Sequence, residues 1–447
     1  MTDPMNRRTF LRRGATAGIG LGVLGRLPRE GGAPPVRPTL APSDRIRVAV
    51  MGVNSRGNEL AQAFARMGAD VGAICDVDSR AVERTVGQVR ELQGSRPQGL
   101  ADFRHALDDP AVDALVVAAP DHWHAPAAIL ALQAGKHVYL EKPCGHGPLE
   151  GELLVEAQRR YGRVVQMGNQ QRSAPESIEV MGKIREGVIG QPYYGRAWYA
   201  NTRGSIGRGV SAPIPDWLDY ELWQGPAPRT PYRDNVVHYN WHWFWRWGTG
   251  EICNNGTHEI DVCRWALGVD FPTRVTSAGG RYHFDDDWEC PDTQVASFEF
   301  ENGASITWEG RSCNGRPIEG RSRGASIHGT EGTAVIDRSG YVLFDNENNE
   351  IARRLREETV DALDTRGGGS LTDLHITNFL DSVRDNTTPT APIDEGHKSQ
   401  LLCHLGNIAQ RTSGALACDP ETGNILKNAA AGDLWDRDYE PGWEPRV

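Results

Sequence analysis

Lys142 stands between Glu141 and Pro143, directly after the apolar run His137 to Leu140. Only five of the 48 basic residues are lysines, so its place is unusual. A lysine at a strand end, fixed between a carboxylate and a proline, is poorly placed for mere solvation. In a partly buried site its pKa falls, and it can then polarise or deprotonate a hydroxyl. A second group of chemistry-bearing residues runs from Tyr239 to Asp261. Trp241, Trp243, Trp245 and Trp247 alternate with His242, Phe244 and Arg246, and Glu251, Asn254, Asn255, His258 and Asp261 follow a glycine pair. Aromatic faces with a few polar groups suit a sugar-like ligand, which has apolar C–H faces and a rim of hydroxyls. The same run also reads as an aromatic core strand leading into a helix. Tyr239, Trp241 and His242 are the candidate substrate contacts, with Glu251 a weaker one. His258 is the titratable group. Asp261, three residues on, is expected to orient the His258 imidazole at the substrate site. No metal is expected at His258, because His-Glu is followed by Ile-Asp-Val with no second His at 262.

The elements that must position these groups begin with a short β-branched strand, Arg45 to Met51. The turn Gly52-Val53-Asn54-Ser55-Arg56-Gly57, a helix to Met67 and a strand from Ala69 to Cys75 follow. Asp76 ends that strand, 24 residues past Gly52. Strand, glycine turn, helix, strand and acid form the dinucleotide-binding arrangement. Gly52 allows the tight turn, and the helix after Gly57 aims its free N–H groups at a pyrophosphate. Asn54 replaces the middle glycine. Asp76 can accept from both ribose hydroxyls and repels a 2′-phosphate, which favours NAD; nearby Arg80 leaves NADP possible. A strand from Ala114 to Ala119 ends at Pro120-Asp121-His122-Trp123-His124, as the strand before Lys142 ends at Glu141. Both clusters lie where open α/β sheets place ligands. The cofactor-side residues are therefore Gly52, Asn54, Ser55, Arg56, Gly57, Asp76, Pro120, His124, Glu141 and Lys142.

After a helix from Gly147 to Tyr161 and a strand to Met167 the rhythm changes. A helix (Pro175 to Glu186), a strand (Tyr193 to Ala200) and a long irregular region with several tryptophans come next. Six runs then alternate as antiparallel strands do, starting at Arg274, Thr293, Ala304, Ala325, Thr333 and Tyr341. The C-terminus is helical over Leu371 to Arg384 and Gly396 to Leu416, with a Trp- and Tyr-bearing tail from Gly432. The fold class is α/β: an N-terminal Rossmann dinucleotide-binding domain (44–167) and a C-terminal α+β domain (168–447) with a large, mostly antiparallel open sheet.

The glycine turn, Asp76, Asp102-Phe103-Arg104, the Pro120–His124 loop, Glu141-Lys142-Pro143 and Gly168-Asn169-Gln170 occur in the order and spacing of one family. From residue 44 onward the chain resembles the glucose–fructose oxidoreductase / inositol dehydrogenase (Gfo/Idh/MocA) family. The resemblance implies NAD(P) at the first domain, Asn169 beside it, and a catalytic Lys142. His258 fits the family's catalytic His. Asn254 takes the place of an Asp four residues before it, and so hydrogen-bonds a substrate hydroxyl as the third catalytic group. The implied chemistry is hydride transfer with a secondary hydroxyl of a sugar, cyclitol or sugar derivative. The alternative is a glycoside hydrolase or lyase that oxidises a ring hydroxyl transiently and recycles the cofactor. The exposed face of the second sheet commonly pairs in this family, which implies a homo-oligomer.

Net charge is −11, and the first 40 residues alone, with seven Arg against Asp3 and Glu30, carry +5. The remaining −16 argues against nucleic acid as a partner. Residues 1–43 read as a signal and linker. Arg7-Arg8-Thr9-Phe10-Leu11 and the weakly apolar, glycine-rich run to Gly25 match a twin-arginine export signal. No clear Ala-x-Ala site follows, so the expected location is the periplasm, either released or anchored facing it. Eight scattered cysteines without Cys-x-x-Cys are expected to be mostly buried free thiols.

Overall fold

A computed structural model describes residues 45–356 and 370–447; the twin-arginine segment lies outside the described residues. The first domain alternates β1 (Arg47–Met51), α1 (Arg56–Arg66), β2 (Asp70–Cys75), α2 (Ser79–Gln93), β3 (Gln98–Leu100), β4 (Ala114–Val117), α3 (Asp121–Gln133), β5 (His137–Leu140), α4 (Pro148–Tyr161) and β6 (Val165–Met167). Its strands are all parallel, in the order 3-2-1-4-5-6. That order reverses between β1 and β4, where a crevice opens at the strand ends. Val48, Ala49 and Val50 are all fully buried, as expected of a strand covered by helices on both faces.

The turn after β1 requires its glycines. Gly52 has φ +83°, and a Cβ there would lie 2.5 Å from the Ala119 nitrogen. A Cβ on Gly57 would lie 2.1 Å from the Gly52 oxygen. The turn, α1 and the end of β4 therefore close on one another with no space for a side chain at either position.

The second domain contains α5 (Pro175–Arg185), β7 (Pro192–Ala200), α6 (Thr257–Leu267), β8 (Arg274–Gly280), β9 (Thr293–Glu299), β10 (Ser305–Arg311), β11 (Arg323–Gly329), β12 (Gly332–Asp337), β13 (Gly340–Asp345), β14 (Glu350–Leu355), α7 (Ser370–Asp385), α8 (Ile393–Thr412) and β15 (Leu416–Ala417). Nine strands form one sheet in the order 14-13-12-11-7-10-9-8-15. Only β7 and β10 pair in parallel; the other pairs are antiparallel. Strand β14 is exposed along most of its length and lacks the apolar alternation that revealed its neighbours. The tryptophan run is no strand: Asn240–Trp243 is a single 3₁₀ turn. All eight cysteines are free; seven are buried and Cys313 is partly so. Among the described residues no helix is long and apolar enough to cross a membrane.

The C-terminal elements return to the first sheet. Ile376, Phe379 and Leu380 of α7 join the core that β1, α1 and β5 build. Phe379 meets Phe64 and Tyr139 edge-on at 6.1 and 5.7 Å. On the other face Trp443 packs edge-on to Trp123 at 5.2 Å. The Phe379→Ala variant is expected to lose about 3–5 kcal/mol of stability, measured by urea unfolding of the full chain. A loss near zero would show that α7 does not complete the first core.

Candidate active site

A cavity of about 420 Å³ runs from the glycine turn to the edge of the second domain. Gly52, Asn54, Ser55 and Arg56 line one end, with Asp76. Ser55 precedes α1 and makes no side-chain cap; the N–H groups of Asn58 and Glu59 close on its backbone oxygen (3.0 and 3.3 Å), and the positive end of the helix meets the cavity at Ser55 and Arg56. Gly57 is packed behind the turn and shapes it. Asp76 accepts from Val53 N–H (2.5 Å) and Asp78 N–H (2.9 Å), so the acid is held rigidly at the wall. Arg80 is committed elsewhere: its guanidinium forks onto Asp78 and lies 3.5 Å from the centre of the Trp217 ring. The basic residue that left NADP open is thus fixed to a neighbouring carboxylate. These features fit a dinucleotide: a turn closed tightly by two glycines, the N-terminal end of a helix and a fixed carboxylate.

Pro120, His124 and Glu141 also line the cavity. Both ring nitrogens of His124 face backbone oxygens, those of Pro143 and Ala119. It ties the Lys-Pro segment to the end of β4, and its ring has no nitrogen turned to the cavity. Glu141 accepts from Arg56 (2.9 Å) and Gln170 (3.2 Å). Burial alone would raise its pKa, but Arg56 and Lys142 outweigh that and hold it below the usual value. Asn169 is buried behind this wall and does not reach the cavity. Its amide finds no partner among the described residues.

The other end holds Lys142 and Asn254. Lys142 Nζ donates to the backbone oxygen (2.6 Å) and side-chain oxygen (3.0 Å) of Asn254. Asn254 sits in a π-helical segment, Ile252–Gly256, just before α6; such segments are rare and frequent at functional sites. Its amide orientation is dictated from behind, because Asn254 Nδ2 donates to Glu251 (3.3 Å). Glu251 also accepts from Asn255, Ser312 and Arg203. Burial lowers the Lys142 pKa; Glu141 and Asp121 oppose this, while Arg323 and Arg338 add to it. His258, at the start of α6, is 7% exposed but is not among the residues that line the cavity. Burial first, then Arg338 and Lys142, hold its imidazole well below the usual pKa.

Tyr239, Trp241 and His242 line this end. Tyr239 has φ +78°, a strained backbone for a side chain of this size, and its hydroxyl accepts from Arg203 (2.5 Å). His242 stacks on Trp241 with ring centres 3.6 Å apart. Its Nδ1 faces the Tyr239 oxygen (2.5 Å). Its pKa is lowered to about 3, mainly by burial, with Lys142 and Arg203 contributing.

Asp261 is a correction. Its carboxylate is 1% exposed, takes a two-pronged grip from Arg172 (2.8–3.1 Å) and accepts from Ser399 (2.6 Å). A charged two-point pair is stronger than a bond to a neutral imidazole, so Asp261 neither orients His258 nor meets substrate. Glu251 is likewise no surface contact; it sits behind Asn254 and sets its amide.

A family model described as an oxidoreductase family with an NAD-binding Rossmann fold matches residues 46–169. One for the oxidoreductase family's C-terminal alpha/beta domain matches residues 225–414. The chain belongs to the Gfo/Idh/MocA oxidoreductase family. A glycosyl hydrolase family 109 protein of Saccharopolyspora erythraea is 34% identical over 213 residues, 44% of this chain and 46% of its own. A protein of the same description from Shewanella pealeana is 25% identical over 231 residues, 48% and 50% of the two chains. The chain thus spans about half the length of the curated relatives it matches. Levoglucosan dehydrogenase, solved with NADH and levoglucosan, superposes with a TM-score of 0.63 at 19% identity over 83% of this chain and 99% of that one. An aldose–aldose oxidoreductase from Caulobacter crescentus gives 0.64 at 17% identity over 83% and 99%. These two likenesses show the shared fold.

Within this Gfo/Idh/MocA chain three cavity features escaped the sequence. Asp121 lines the wall, accepts from Thr249 (2.6 Å), and has its pKa raised by burial; its place in the Pro120–His124 loop was the available signal. Arg338 reaches the cavity from the β12–β13 turn, where nothing in the local pattern marks it. The Glu251–Asn254–Lys142 chain depends on a π segment that spacing does not reveal. The Asn254→Asp substitution places a carboxylate against Lys142 and is expected to raise its pKa by roughly 1–3 units. Lysine reacts only when neutral, so the pH at which Lys142 becomes labelled by an acylating reagent moves up by that amount. An unchanged or lower pH would refute the contact.

Proposed function

We propose that this chain is an NAD-dependent oxidoreductase that moves hydride between the cofactor and a secondary hydroxyl of a sugar, cyclitol or sugar derivative. The observation that carries this is Lys142 Nζ placed on Asn254 in a cavity continuous with the glycine turn and Asp76. When bound, NAD supplies the hydride acceptor. Lys142, whose burial favours its neutral form, takes the hydroxyl proton at Nζ. His258, buried at the start of α6 outside the cavity lining, stays a neutral imidazole, and its depressed basicity makes it the weaker proton acceptor. Asn254 orients the Lys142 amine and meets a neighbouring hydroxyl. Trp241 and Tyr239 offer faces for the sugar's C–H side.

A second reading is redox-assisted glycoside cleavage, with the cofactor returned unchanged. It is favoured by the description of the Saccharopolyspora erythraea and Shewanella pealeana relatives and by the cover over the cofactor end. His238 bonds Asp78 (3.0 Å), Leu218 forms a bridge with Asp78, and Trp223 and Leu222 line the cavity. A cofactor under such a cover is released slowly, which suits recycling. Export by the twin-arginine route to the periplasm, and pairing through the second sheet, complete the proposal. The first is supported by Arg7, Arg8 and the run after them.

The two readings separate in one experiment. The purified protein is mixed with NAD and a panel of sugars and p-nitrophenyl glycosides, while NADH absorbance and sugar release are both followed. Net NADH supports the oxidoreductase; release of sugar without NADH supports the hydrolase; neither, with NAD absent from the denatured protein's supernatant, would sink both. Lys142→Ala is expected to lose roughly 10²–10⁴-fold in kcat with the fold intact. Full retained turnover would remove Lys142 from the mechanism.

A further inference from the structure

A cluster of side chains with metal-ligand atoms lies away from Lys142, between the loop joining β8 to β9 and the residues just after β10. His283, Asp292 and Cys313 each present a ligand atom, and these atoms all lie within 4.8 Å of one another. Among the described residues it is the one such group of three. The carboxylate is fully buried and preset: Asp292 Oδ2 accepts from the backbone N–H of Tyr282 (2.7 Å) and His283 (3.1 Å), and Oδ1 accepts from Thr293 (2.9 Å). His283 Nδ1 approaches Oδ1 at 3.3 Å, a long contact. Arg281 lies 3.6 Å from the other oxygen, Oδ2, and its own terminal nitrogens are taken by Trp288, Phe284 and Asp286. Cys313 follows β10 and is a free thiol.

We propose that His283, Asp292 and Cys313 form a zinc-binding site that fastens the 281–292 loop to the end of β10. A thiolate, an imidazole and one carboxylate make a mixed soft and borderline donor set. That set selects zinc over the oxygen-seeking magnesium and calcium. Ligands of a tetrahedral zinc stand about 2.0–2.3 Å from the metal, so the three atoms must draw together by about an ångström. His283 is on the exposed side of the loop and can supply that movement. Water completes the fourth position.

The loop has a task that such a clamp would serve. Asp286 accepts from Ser205 (2.7 Å) and Ile206 N–H (2.9 Å). Asp287 accepts from Gly209 N–H, Arg233 and Asn235. Trp288 stacks on Trp243 at 3.9 Å. The loop thus grips both ends of the segment that carries Tyr239, Trp241 and His242 to the cavity. Metal here would hold the aromatic wall without touching the reacting atoms.

The test uses the full, untagged chain dialysed against EDTA. Zinc is titrated in competition with a chromophoric chelator, and cobalt is added separately to look for thiolate-to-metal absorption. The expected result is one tight zinc per chain, a cobalt–thiolate band, and an unfolding temperature raised by zinc. Changing even a neighbour of a metal ligand weakens binding roughly 10–100-fold, so Cys313→Ser and His283→Ala should each cost at least that. Both should keep the wild-type circular dichroism, and Cys313→Ser should lose the band and the zinc-dependent rise. Asp292 is left intact because its Oδ2 serves the backbone. Absence of tight zinc, or a thiolate band that persists in Cys313→Ser, overturns the proposal.

Discussion

The contact between Lys142 Nζ and the two oxygens of Asn254 joins the domains at the point where chemistry is proposed. One partner comes from the end of a parallel strand, the other from a π segment ahead of α6. The N–H groups of a half-buried amine need acceptors, and Asn254 provides two without adding charge. The amide could rotate and present its NH₂ group instead. Glu251 prevents that by accepting from Asn254 Nδ2, and Arg203 in turn neutralises Glu251. Arg323 pairs with Glu259 and donates to Asn255 beside it. Buried charges of this kind are tolerated only as a complete set, because removing one leaves its partner unpaired in low dielectric.

The segment between β7 and the π helix is long and nearly without regular structure, yet it is tied down at both ends. Asp78 receives His238 and Arg80, and Arg80 stacks on Trp217. At the far end Asp286 and Asp287 bind Ser205, Gly209 and Asn235. Long loops in compact domains are usually functional. Here carboxylates on both domains fix the loop that roofs the cofactor end and lines the substrate end.

The first domain was largely legible because its determinants are local. Gly52, Gly57 and Asp76 lie on one strand–turn–helix–strand unit, and close backbone packing excludes any other residue at the glycines. The alternating strands of the second sheet were legible for the same reason, whereas exposed β14 carried no pattern. Asp261 shows the limit. Its spacing from His258 is right for a partner on one helix, but Arg172, 89 positions away, takes the carboxylate. His124 shows it again: a histidine at a strand end looks ligand-ready until two backbone oxygens occupy its ring.

By itself the sequence determined the dinucleotide unit, the lysine at the end of β5, and the aromatic and polar character of the region facing it, since each follows from periodicity or from residue types within a few positions. Only the tertiary structure decided the partners. It returned α7 and Trp443 to opposite faces of the first sheet, brought Arg338 to the cavity, turned Asp261 away, and put Glu251 behind Asn254. Each of these rests on pairing of buried charges or close packing between segments far apart in the chain. Spacing along the sequence does not encode which of several nearby acids and bases will meet, because that is settled by geometry and desolvation once the domains close.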